Sequence, residues 1–140
     1  MNIFKIADNE SGLTQQEIAH ALRQSLEDRH PRRVLILPPD FTRYHSNAGF
    51  ITNTYYHILQ NMGAEVDIMP ALGTHEPMTE EQALAMFGDV PYEKLIPHNW
   101  RTDVLKVGEV PSSYLEDVTE GLWSRSAWRS IGGGWTNSTI

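Results

Sequence analysis

The chain has no cysteine, which excludes disulfides, thiolate metal sites and cysteine nucleophiles together and fits a cytoplasmic address. Basic side chains are scarce. Eleven Lys and Arg against eighteen Asp and Glu give a formal charge of -7, a balance that repels phosphate backbones and anionic lipid, so neither nucleic acid nor a membrane is expected as a partner. No apolar run approaches the roughly twenty residues needed to cross a bilayer, and the amino terminus has no basic segment leading into an apolar one. A soluble, unsecreted protein is expected. Also missing are Gly-x-Gly-x-x-Gly, a lysine-bearing phosphate loop and Gly-x-Ser-x-Gly, which removes support for those enzyme classes. No two histidines stand two or four residues apart, so no preformed metal site is expected. What is present is 140 residues with 40% apolar side chains, enough for one ordinary hydrophobic core.

Read along the chain, helical and strand patterns alternate. Thr14 and Glu17 have capping-box spacing, Ile18, Leu22 and Leu26 form a stripe, and Pro31 stops the helix near Arg29. Arg33 to Leu37 reads as a strand without polar alternation, so both of its faces are expected to be buried, as in a parallel sheet. A polar loop, Pro38 to Asn47, precedes a second amphipathic helix that ends before Gly63. Glu65 to Met69 reads as the next strand. The loop Pro70 to Pro77 follows, and Thr79 to Gln82 repeats the capping box for a helix ending at Gly88. Pro91 to Leu95 reads as one helical turn and Asp103 to Val107 as a further strand. This order predicts an α/β domain over residues 1–120: an open, mostly parallel sheet with helices on both faces, a Rossmann-like three-layer arrangement. Residues 121–140 hold three of the four tryptophans among serines and a triple glycine without a period of 2 or 3.6; they read as an irregular tail of truncated or artificial origin.

In open α/β sheets, ligands sit outside the carboxyl ends of the strands, which directs attention to two loops. The first carries Asp40-Phe41-Thr42-Arg43 between a strand and a helix amino terminus, where unpaired amides favour a phosphate or carboxylate and Arg43 can clamp one bidentately. Alternatively, Asp40 and Arg43 pair with each other across the turn. The second carries Gly73-Thr74-His75-Glu76-Pro77-Met78. Glycine there permits close backbone approach, and His75 can serve as a general base or simply hydrogen-bond a carbonyl. Adjacent parallel strands bring His75 near Arg43. Of the other histidines, His20 and His30 read as solvated, His57 as partly packed, His45 as following the first loop where it can line the site, and His98 as structural in preference to catalytic.

Together, Asp40-Phe41-Thr42-Arg43 after a strand and Gly73-Thr74-His75-Glu76-Pro77-Met78-Thr79 before an acidic helix start resemble the paired motifs of the lactate racemase family, over roughly residues 1–110. The resemblance implies the amino-terminal domain of an enzyme that interconverts 2-hydroxy acid enantiomers by hydride transfer to a nickel-pincer nucleotide. It further implies His75 as one of two acid/base histidines and Arg43 as holder of the substrate carboxylate. Asp40 is then a group beside the substrate and cofactor, and Thr42, Gly73 and Thr74 are cofactor contacts. The family usually places proline after the arginine, whereas Tyr44-His45-Ser46 follows here, which leaves the substrate among 2-hydroxy acids open. Its second histidine, cofactor-bearing lysine and nickel-binding histidine are expected beyond this stretch, since no Lys or His follows Lys106. The expected partner is therefore a missing carboxy-terminal domain, and the piece alone is expected to be inactive and to hold the cofactor only weakly. A second reading is an anion- or nucleotide-binding module without catalysis. A third is a truncated piece that folds through self-association.

Overall fold

The computed structural model describes residues 3–123 and 127–132 and divides the chain into two compact units, residues 1–97 and 98–140. In the first unit, helix α1 spans Gln15–Ser25 and opens on the expected box: the Thr14 hydroxyl accepts from the Glu17 amide, and the Glu17 carboxylate accepts from the Thr14 amide at 2.8 Å. Strand β1 (Arg33–Ile36) leads into a 3₁₀ helix at Phe41–Ser46, helix α2 (Ala48–Asn61) and strand β2 (Glu65–Ile68). Helix α3 (Glu80–Phe87) is capped reciprocally by Thr79 and Gln82, and a 3₁₀ turn covers Tyr92–Lys94. β1 and β2 pair in parallel with Arg33 opposite Glu65, and single parallel bridges extend the pairing at Pro39–Ala71 and Ile68–Leu95.

The α/β class expected from the sequence is what forms, with a parallel sheet smaller than a full Rossmann-like domain carries. The core gathers where α2, β2 and α3 meet. Leu59, Val66, Ile68 and Phe87 are its largest fully buried side chains, each worth about 1.5–3 kcal/mol of burial. α1 contributes no fully buried residue; Leu26 leans on the core, and the Ser25 hydroxyl lies 2.7 Å from the Tyr55 hydroxyl of α2.

Two local expectations are corrected. The stretch Pro38–Asn47 is not all loop, because Asp40 caps the 3₁₀ helix that fills its centre. β1 is not buried on both faces: Val34, Leu35 and Ile36 are half-buried and Leu37 is 65% exposed. Its apolar run reflects a strand with one hydrogen-bonded neighbour among the described residues rather than the middle of a wide sheet.

In the second unit, strand β3 (Val104–Val110) precedes helix α4 (Ser112–Val118) and pairs antiparallel with strand β4 (Ala127–Gly132), with an irregularity between Lys106 and Gly108. β4 falls within the stretch read as an irregular tail. A strand whose ladder is made by the backbone needs no alternation in its own sequence, so the absence of a period did not argue against it. Residues 124–126 and 133–140 of that stretch lie outside the described residues.

Candidate functional site

The carboxyl ends of β1 and β2 lie side by side, since the Ala71 amide donates to the Pro38 carbonyl at 2.8 Å beyond the strands proper. Asp40 and the turn that carries His75 therefore leave the sheet from adjacent points. The His75 amide closes that turn on the Leu72 carbonyl at 3.0 Å, and Gly73 has φ +61°. A Cβ on Gly73 would meet nothing within 4 Å, so the left-handed backbone, not a close approach, is what favours glycine there.

Asp40 has extended backbone and caps the 3₁₀ helix. Its Oδ1 accepts from the Thr42 amide at 3.2 Å and from the Thr42 hydroxyl at 2.5 Å, while Oδ2 stands 2.6 Å from His75 Nδ1. The Asp40 side chain is 8% exposed and that of His75 55%, so a buried carboxylate holds a ring that remains open to its surroundings. Burial opposes the Asp40 charge most strongly; the Thr42 hydroxyl, then His75, then the Thr42 amide outweigh it and hold the carboxyl below its ordinary value.

The pairing of Asp40 with Arg43 across the turn does not form, because the carboxylate is taken by Thr42 and His75. Arg43 follows Thr42 on the same short helix, is exposed, and makes no ion pair among the described residues. Of the sequence-predicted site residues, Asp40, Thr42 and His75 are joined by hydrogen bonds, whereas Gly73 and Thr74 lie in the turn leading to His75. His45 instead lines a separate cavity of about 490 Å³ with Tyr44, Gly49, Asn53 and Met86, whose lining does not include Asp40 or His75. His98 has its Nδ1 buried with no hydrogen-bond partner among the described residues.

A second histidine–aspartate contact was not anticipated. His57 Nε2 lies 2.9 Å from Asp89 Oδ1, to which the Asn53 amide also donates at 2.8 Å, while Asn53 further donates to the Phe87 carbonyl at the end of α3. The available signal was the four-residue spacing of Asn53 and His57, which puts both on one face of α2. This cluster ties α3 to α2. His57 first, then Asn53, lowers the Asp89 pKa.

The acid limb of stability follows from these carboxylates. Asp40 and Asp89 both titrate below the ordinary aspartate value of 3.8, so the folded state binds fewer protons than the unfolded one in that range. Their stabilisation is present above that value and is lost as pH falls through the folded values. Urea midpoints should drop as pH is lowered below about 4, and Asp40→Asn should make that drop shallower. An unchanged slope in the variant would remove Asp40 from the account.

An α/β domain with a carboxylate-supported histidine and an exposed arginine at the carboxyl ends of paired parallel strands defines the class structurally. The family model described as the lactate racemase N-terminal domain matches residues 7–119, and the chain belongs to that family. A solved crystal structure of a protein from Thermotoga maritima, determined as a structural genomics target, is similar with a TM-score of 0.77 at 22% identity, covering 92% of this chain and 31% of that one. At that identity the likeness is one of fold, and this chain spans about a third of the length of the solved one. No curated protein matches the chain significantly. The family implies a nickel cofactor in full-length members. Among the described residues no group of three or more His, Asp or Glu side chains could hold a metal ion.

Proposed function

We propose that this domain supplies the proton-transfer and anion-holding half of a 2-hydroxy acid racemase site. The observation that supports this reading most is the 2.6 Å contact between His75 Nδ1 and Asp40 Oδ2. A carboxylate at Nδ1 favours the tautomer with its proton there, which leaves the Nε2 lone pair available as a base. Nε2 would take the proton of the substrate hydroxyl and later return it, and the Asp40 charge would offset the imidazolium formed in between. Arg43, exposed and without an ion pair among the described residues, would hold the substrate carboxylate through two parallel hydrogen bonds. Gly73 and Thr74 would contribute backbone and hydroxyl contacts to the cofactor side of the site. The finer reading, enantiomer interconversion by hydride transfer to a nickel-pincer nucleotide, rests on family membership. The residues here account only for its proton and carboxylate chemistry, and a carboxy-terminal domain would complete the site.

Arg43→Ala in a full-length protein carrying this domain tests the clamp. Losing charge-assisted hydrogen bonds of about 1.5–3 kcal/mol should raise KM roughly 10- to 100-fold with a smaller effect on kcat. Steady-state racemisation of lactate and of longer 2-hydroxy acids reads this directly. An unchanged KM for every substrate would remove Arg43 from the site. Anion binding that needs Arg43 in a wild-type protein without turnover would favour the non-catalytic module instead.

A further inference from the structure

Thr42 belongs to the same loop as the arginine clamp, and its hydroxyl could serve either a bound phosphate or its own neighbours. A threonine hydroxyl has one hydrogen to donate. Here that hydrogen is directed at Asp40 Oδ1 over 2.5 Å, and the Thr42 amide reaches the same oxygen at 3.2 Å. Both are donors, so Oδ1 is filled on the side of the 3₁₀ helix, and only Oδ2 faces His75, at 2.6 Å. A phosphate or carboxylate ligand accepts hydrogen bonds and donates none when ionised. It would find no free hydrogen on Thr42 unless the bond to Asp40 were first broken.

We propose that Thr42 is a positioning residue that acts through Asp40: its hydroxyl fixes the rotation of the carboxylate and thereby selects the Nδ1–H tautomer of His75. This rests on the reading of His75 as the base, and it assigns Thr42 to the proton-transfer machinery rather than to the cofactor. The carboxylate of an aspartate turns about its Cβ–Cγ bond in a broad, roughly two-fold well, so a single partner at Oδ2 would not define the plane in which that oxygen meets an imidazole. Two donors at Oδ1 do. Both come from Thr42, whose branched Cβ restricts χ1 and keeps the hydroxyl beside the amide of the same residue. The short helix thus ends a chain of hydrogen bonds running from Thr42 to Asp40 to His75 across two loops 35 residues apart.

The test is the tautomer of His75, read by ring nitrogen-15 to carbon-bound proton correlation spectra of the 140-residue chain at pH 8, above the ordinary imidazole range. The His75→Ala spectrum assigns the signals. In the unsubstituted chain the Nδ1–H form should dominate. Thr42→Val keeps the shape and removes the hydroxyl, and the ratio should invert toward Nε2–H; Thr42→Ser restores the hydroxyl and should restore the original ratio. Thr42→Ala serves if the valine variant does not fold. A dominant Nε2–H form in the unsubstituted chain would overturn the base assignment and this inference with it. A dominant Nδ1–H form that survives loss of the hydroxyl, or a serine variant that behaves like valine, overturns the inference alone.

Discussion

On the proposed reading, His75→Ala in a full-length protein carrying this domain should lower kcat for racemisation on the order of 10²- to 10⁴-fold while leaving KM nearly unchanged. General acid–base catalysis by one positioned side chain contributes about that much, and a group that moves a proton contributes mainly in the transition state. The fold should tolerate the change, because the side chain is 55% exposed and among the described residues makes one side-chain hydrogen bond, to Asp40. The partner residue sharpens the expectation. Asp40→Asn keeps the volume but can present either an amide or a carbonyl to Nδ1, so the tautomer is no longer specified and kcat should fall with little change in KM. If the two residues act as one unit, the double variant His75→Ala with Asp40→Asn should be no slower than His75→Ala alone. Losses that multiply would instead mean that Asp40 serves something other than His75. Wild-type turnover in both directions by the His75 variant would end the assignment.

The parts of this fold that were legible in the sequence are those decided within a few residues. Thr14 with Glu17 and Thr79 with Gln82 announce helix starts because both halves of each box lie three residues apart. Gly63 and Gly88 mark helix ends for a similar reason. The position of the two candidate loops at the carboxyl ends of β1 and β2 was legible too, since the order strand, loop, helix fixes from which end of each strand its loop leaves. The partner of Asp40 was not. Arg43 stands three residues away and His75 thirty-five, and choosing between them depends on Asp40 capping the 3₁₀ helix while the pairing of Pro39 with Ala71 carries the second loop alongside. Local spacing holds no trace of that choice. The same holds for β4, whose partner β3 supplies the ladder, and for Leu37, whose exposure depends on what lies beside β1 rather than on its own apolar character.

Gly49→Ala should be the most destabilising conservative change in the first unit. Gly49 lies in the first turn of α2, where alanine would ordinarily gain up to about 1 kcal/mol through helix propensity. The neighbouring helix reverses the sign. A Cβ at that position would overlap the Met86 carbonyl oxygen and come within 3.0 Å of the carbonyl carbon, and neither atom belongs to a side chain that can rotate away. Relief requires α2 and α3 to separate. That movement would disturb the packing of Phe87, 1% exposed, and the Asn53 hydrogen bond to the Phe87 carbonyl. Overpacking of this kind costs about 1–3 kcal/mol or more, which corresponds to a fall in Tm of roughly 4–24 °C for a unit of this size. Leu84→Ala, on the exposed side of α3, provides the comparison and should change Tm by little. The damage should also reach the hydrogen-bonded chain of Thr42, Asp40 and His75 only weakly, because these residues are held by the strand ends rather than by the α2–α3 contact. A Gly49→Ala chain as stable as the unsubstituted one would show that the two helices do not approach as closely as their backbone contact requires; a destabilised chain with its His75 tautomer unchanged would show that the core and the site are stabilised separately.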